Sequence, residues 1–269
     1  MTTTHEMVRR RACAAMMGLV VAASPLTAQV RAELIPEHSS LRPGESTRIA
    51  VVLRHAPGWH TYWRRGGDAG LPTRVRWTLD AALRADTLTW PAPSPFRDLG
   101  VVTYGYAHDV PLVSTLSVAP HAARARTYAI DARVDWLACQ TQCIPGGTTV
   151  RAAIAVANAR TINPAFARAL RAPGVVWPAR ATSGLVARRS GDTLELSAPA
   201  ALERACRFFS ETAGVPAALG LTALARDGTP ARVAISPRVT LPDTLRGVLS
   251  CDGTPLTATH HTLPISGAR

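Results

Sequence analysis

The sequence predicts an all-β protein: one β-sandwich, a short helical connector, and a second, smaller β-sandwich. Three observations lead there. Short β-type runs separated by Pro- and Gly-containing turns fill the stretch from Val30 to Ala157. Tyr128, Ile130, Ala132, Val134 and Trp136 alternate with Asp131, Arg133 and Asp135, so one face of that strand is core and the other is wet. One compact helical segment then divides these runs from a further set that begins near Thr182.

The chain begins with a segment that bears on every later cysteine. Arg9, Arg10 and Arg11 precede a short apolar run, Ala12 to Ala23, and "PLTA" supplies small residues suited to cleavage after Ala28. This pattern reads as a secretory signal peptide over residues 1–28. The run is about a dozen residues against the roughly 20 that a spanning helix needs. Export makes disulfides permissible. With Cys13 in the leader, four cysteines remain: Cys139, Cys143, Cys206 and Cys251.

Residues 29–157 carry the runs "STRIAVVLRH", "WHTYW", "TRVRWTL", "DTLTWP", "VVTYGY", "VPLVSTLSV", "RTYAIDARVDWLA" and "TTVRAAIAV", a count that suits a sandwich. Residues 158–181 form the connector. There Asn163 is a helix N-cap, Pro164 takes the first helical position, Phe166 and Leu170 share a face, and Pro173-Gly174 ends the helix. Residues 182–269 resume strands with "DTLELSAP", "ACRFFSE", "LTALARDG", "ARVAISP" and "LRGVLSC". About 240 residues without the leader suit two domains of ordinary size.

The net charge is +12, and every basic residue is arginine. These arginines are scattered through the chain, which reads as a solvated basic surface and gives no nucleic-acid patch. An anionic envelope component or an acidic partner is the alternative use of that charge. Lipase-type Gly-x-Ser-x-Gly, zinc-hydrolase and phosphate-loop patterns are absent from the sequence, and no cofactor is expected.

The chemistry concentrates in "WLACQTQCIPG", Trp136 to Gly146. Three residues between Cys139 and Cys143 allow the sulfurs to bond across a tight turn, since bridged cysteines sit with Cα atoms typically about 5.5 Å apart. So small a loop removes little unfolded-state entropy, which favours a functional pair over a staple. Strand parity, continued past Trp136, turns both cysteines away from the core. Pro145 and Gly146-Gly147 suggest a loop edge and a sharp exit. Spacing alone leaves three readings open: a redox-active pair, a static disulfide, or a metal clamp with His55, His60 or His108 as further ligands to Cu(I) or Zn(II). Cys206 and Cys251 read equally well as bridged or as two buried thiols.

"DWLACQTQCIPG" resembles the signature of the N-terminal periplasmic domain of DsbD-type thiol:disulfide interchange proteins, especially the ScsB branch. "PGWHTYWRRGGDAGLPTRVRW" and "WPAPSPFRDLGVVTYGYAHDVPL" are similar to two further stretches of that branch, in the same order. The resemblance implies an immunoglobulin-like sandwich in the periplasm whose cysteine pair takes electrons from a membrane-embedded thiol carrier and reduces disulfides of envelope proteins. It implies that Cys143 exchanges with substrate and that Cys139 resolves the mixed disulfide. It places a cap-loop aromatic on Phe96 and an aromatic cluster beside the pair on His60 and Tyr62. The better-known DsbD branch spaces its cysteines by five residues instead of three. The sequence carries neither the membrane carrier nor a thioredoxin-like domain, so either other chains supply them or the relay role is lost. A binding module with a passive bridge and a copper-handling protein are the rival readings.

Overall fold

A computed structural model describes residues 29–98, 100–180, 184–198, 205–224, 227, 229–252 and 257–267. The expected signal peptide, residues 1–28, lies outside the described residues.

The first β unit contains β1 (Val30–Pro36), β2 (His38–Leu41), β3 (Ser46–His55), β4 (His60–Gly67), β5 (Arg74–Leu79), β6 (Leu83–Ala85), β7 (Ser94–Asp98), β8 (Val101–Tyr106), β9 (Val110–Val118), β10 (Thr127–Cys139), β11 (Cys143–Val156) and β12 (Thr161–Ile162). They form two sheets. One runs in the order β1-β3-β9-β6, the other β12-β2-β11-β10-β4-β8-β7, with β5 also paired to β10. Tyr128, Ile130, Ala132 and Val134 of β10 are buried between the sheets, as the alternation requires.

In β3 the run Ile49-Ala50-Val51-Val52-Leu53 does not alternate, and all five residues are buried. Ile49, Val51 and Leu53 face the inter-sheet core. Ala50 and Val52 are covered from outside by Phe166 and Ala169 of α1 (Pro164–Leu170). The helix is therefore a lid on the first sheet as well as a connector. Asn163 caps it by accepting the Ala165 N–H.

The second unit contains β13 (Ala179–Arg180), β14 (Val186–Ser190), β15 (Thr193–Ser197), β16 (Cys206–Ser210), a 3-10 turn (Ala217–Leu221), β17 (Ala223–Leu224), β18 (Ala231–Ala234), β19 (Thr244–Cys251) and β20 (Thr257–Ser266). Its strands follow one hydrogen-bonded path, β17-β16-β19-β20-β14-β15-β18. Leu194, Leu196, Phe208 and Leu245, from both ends of that path, share one core. Cys206 and Cys251 face each other across β16 and β19 and are disulfide-bonded, with Cα atoms 3.9 Å apart.

The two units also share apolar packing. Tyr104 of β8 stacks edge-on against Phe209 of β16 at 5.1 Å. Its hydroxyl donates to the Ala217 carbonyl and accepts from the Gly220 N–H.

The structure corrects three expectations from the sequence. "PSPFRD" is no loop: Ser94–Asp98 pairs antiparallel with Val101–Gly105, Phe96 opposite Thr103. Pro95 is tolerated because β7 is the edge of its sheet, where a missing N–H costs no ladder bond. Gly100, at φ 86°, takes the left-handed conformation just before β8. Likewise Pro145, Gly146 and Gly147 form no exit loop, since β11 runs through them in register with Leu137, Trp136 and Asp135. "DTLTWP" forms no strand of its own, contributing one bridge from Thr89 to Val113.

Candidate redox site at the hairpin tip

Strands β10 and β11 make a hairpin whose last paired residues are the two cysteines. Cys139 stands opposite Cys143 in the ladder, and only Gln140, Thr141 and Gln142 lie between. Cross-strand neighbours project to the same face of a sheet. The sulfurs are bonded, with Cα atoms 4.1 Å apart.

Pairing with β4 decides what surrounds them. Cys139 lies beside His60, and Ala138 beside Thr61. Because strand residues alternate in direction, Cys139, His60 and Tyr62 share one face, while Ala138 and Trp63 join the sandwich core on the other. The cysteines thus occupy the outer face of the sheet. There β7 supplies a second layer of cover: Phe96 stacks flat on His60, ring centroids 4.4 Å apart and planes 5° from parallel. Cys139 is only 1% exposed, although it is on the outer face. Cys143, one strand further out, is exposed.

The Tyr62 hydroxyl reaches both sulfurs, 2.8 Å from Cys139 Sγ and 3.7 Å from Cys143 Sγ. It also lies 3.2 Å from Asp98 Oδ2. Burial, and after it the neighbouring Asp98 carboxylate, pushes the Tyr62 hydroxyl well above the usual phenol range. It therefore stays a proton donor, with one proton and three acceptors within reach. Asp98 Oδ2 collects two more partners, His60 Nε2 at 3.1 Å and the Thr103 hydroxyl at 2.5 Å. A neutral disulfide sulfur is a weak acceptor and a thiolate a strong one, so the Tyr62 proton suits the reduced pair better than the bonded one.

The residues singled out in the sequence, Cys139, Cys143, His60, Tyr62 and Phe96, are brought together here. Sequence reasoning missed Asp98 and Thr103. The signal for Asp98 was its position two residues after Phe96, which places both on one face of a strand once the segment is read as β. His55 and His108 lie elsewhere. His55 Nε2 is 2.9 Å from the Thr61 hydroxyl, and His108 packs edge-on against Tyr106 at 5.9 Å. Among the described residues no group of three or more His, Cys, Asp or Glu is placed to hold a metal ion.

Trp136 and Gly146 stand opposite each other just below the disulfide. A side chain at Gly146 would collide with the Trp136 indole, 2.5 Å from its Nε1, so the glycine is what lets the ring lie across the hairpin.

Among solved structures the chain is similar to the N-terminal periplasmic domain of ScsB from Proteus mirabilis. The TM-score is 0.61 and the sequence identity 17%, over 90% of this chain and 96% of that one. At that identity the likeness is one of fold, and it spans both β units. The major pilin subunit BcpA of Bacillus cereus aligns at a TM-score of only 0.28 and 10% identity, over 88% of this chain and 66% of that one. No curated protein matches the chain. Residues 31–154 match the family model described as thiol:disulfide interchange protein DsbD, N-terminal. That stretch holds the hairpin, its two cysteines and their cover, and it belongs to the family of DsbD N-terminal domains.

Proposed function

We propose that this chain is an exported, periplasmic thiol:disulfide interchange protein that passes electrons through Cys139 and Cys143. The observation that carries this reading is the asymmetry of the pair: the Cys143 sulfur is on an exposed strand end, while Cys139 is buried against the Tyr62 hydroxyl. Exchange requires a partner sulfur to approach along the line of the bond that breaks. Only Cys143 offers that approach.

In the reduced protein, the Cys143 thiolate attacks one sulfur of a partner disulfide. The partner's S–S bond breaks, and its second sulfur leaves as a thiolate that takes a proton from solvent. The Cys139 thiolate, stabilised by the Tyr62 hydroxyl, then attacks the Cys143 sulfur. The intramolecular disulfide closes and the partner's remaining thiolate departs. Two electrons have moved to the partner, an envelope protein disulfide. A membrane-embedded thiol carrier on another chain restores the dithiol by the same steps in reverse.

The test is a pair of variants. Cys139→Ser accumulates a mixed disulfide through Cys143, visible as a mass adduct that a reductant removes, and Cys143→Ser does not exchange. Normal turnover of a protein disulfide by both variants contradicts the assignment.

A further inference from the structure

Trp136 and Pro145, one ladder step apart at the end of the hairpin, both line two grooves near the disulfide. One groove, about 460 Å³, lies between β1 and β11 and is lined by Arg31, Ile144 and Gly147 with Trp136 and Pro145. The other, about 260 Å³, is lined by Leu71, Pro72, Arg74, Asp135 and Leu137 with the same two residues. Leu71, 59% exposed, gives the second groove an apolar wall.

Three features of this surface point to one kind of occupant. The first is an open sheet edge. β11 pairs with β2 only at Ala155 and Val156, so from Cys143 to Ile154 no strand among the described residues is hydrogen-bonded to its outer edge, and β1 packs beside that edge across the first groove. From Cys143 to Val150 it also carries no charged side chain. Proteins normally protect such an edge with charges, short length or a covering element.

Charge is the second feature. Arg31 and Arg74, one at each groove, have no carboxylate partner among the described residues. Asp135, which faces Arg74 in the ladder, gives one oxygen to Arg76 at 2.7 Å and the other to Arg133 at 2.8 Å. Both grooves are therefore left with uncompensated positive charge.

The third feature is continuity, since the open edge begins at Cys143 itself. Resting on the exchange reading above, we infer that the edge of β11 and its two grooves dock an extended segment of the protein being reduced. This segment adds as a strand beside Cys143 and carries carboxylates next to its own cysteine. Backbone pairing along β11 gives affinity, and Arg31 and Arg74 select for acidic flanks.

The experiment uses the reduced full chain and short peptides whose single cysteine is bonded to a neutral chromogenic thiol, released when Cys143 attacks. Peptides flanked by Glu, by Ser and by Arg are compared with 2-hydroxyethyl disulfide, a small neutral probe. At low ionic strength the Glu-flanked peptide should react about tenfold faster than the Arg-flanked one, and salt should shrink the difference. Arg31→Glu together with Arg74→Glu should remove that preference without changing the rate with 2-hydroxyethyl disulfide. N-methylation of the backbone amides beside the peptide cysteine should also slow the reaction. Equal rates for all peptides, or a preference that survives both charge reversals, would overturn the docking surface while leaving exchange intact. Failure to react with any disulfide, the small probe included, overturns the exchange reading and the docking surface with it.

Discussion

The Tyr62 hydroxyl donates to Cys139 Sγ across 2.8 Å and stands 3.2 Å from Asp98 Oδ2, so one proton is offered to a sulfur and a carboxylate at once. The sulfur's claim strengthens when it becomes a thiolate. Removing either partner should therefore shift the resolving step in opposite directions. A hydrogen bond to a charged group is worth about 1.5–3 kcal/mol, so Tyr62→Phe should slow the closing attack by Cys139 roughly tenfold or more. Asp98→Asn removes a competing negative charge and should make that step a few times faster. Stopped-flow decay of the mixed disulfide measures both, and a change of the same sign in the two variants contradicts the shared-proton arrangement.

Phe96 reaches the disulfide indirectly, by lying on His60, which is the strand neighbour of Cys139. Because β7 is an edge strand, it can open at lower cost than a central one. Phe96→Ala should raise the rate at which a small oxidant reaches the reduced pair severalfold. The lost stack, worth about 0.5–1.5 kcal/mol, should lower the melting temperature only modestly. An unchanged oxidation rate with a sharp loss of stability would make Phe96 a packing residue and nothing more.

His55 sets a pH dependence of stability. Burial lowers its pKa from 6.5 to about 4, against the opposing pull of Asp109. The unfolded chain binds a proton below about 6.5 that the folded chain refuses until about 4, so stability is full above that window and falls as pH drops through it. The loss is at most about 3–4 kcal/mol for this residue. His108, His260 and His261 are lowered by burial too and add in the same direction. Denaturant midpoints between pH 7 and pH 4 should fall steadily in the wild type and less steeply in His55→Gln. An identical slope in the variant would remove His55 from this account.

The strands that were legible in the sequence are the uninterrupted β-type runs, whether one face is wet, as in β10, or nearly the whole strand is buried, as in β8 and β9. β10 alternates because one side meets the core and the other meets water, and β8 and β9 stand where the sequence placed them. The edges were harder. β1 and β7, and β2 next to the two-residue edge strand β12, are short or carry a proline, and pairing with a neighbour makes them strands where local propensity does not. The cysteine pair was legible from spacing and resemblance, and parity placed it away from the core. Parity could not foresee that Cys139 would still be buried, because its cover comes from β4 and β7, which lie far from it in the chain. Asp98 was hidden for the same reason: its link to Cys139 runs through two strand registers and the Tyr62 hydroxyl.

The second disulfide gives the account its internal control. Cys206–Cys251 joins two paired strands of the second unit, with Cys206 1% exposed and Cys251, at the end of β19, half-buried against that unit's core. Cys139–Cys143 has one exposed residue at a strand end. The direct measurement is stepwise reduction of the folded protein by a graded dithiol buffer, with alkylation of the freed cysteines and their assignment by mass spectrometry. The account predicts that Cys139–Cys143 opens first and reversibly, Cys143 carrying the transient mixed disulfide, while Cys206–Cys251 stays closed until the protein unfolds. If both bonds open together only on unfolding, or if Cys206–Cys251 opens first, the pair at the hairpin tip is a structural staple.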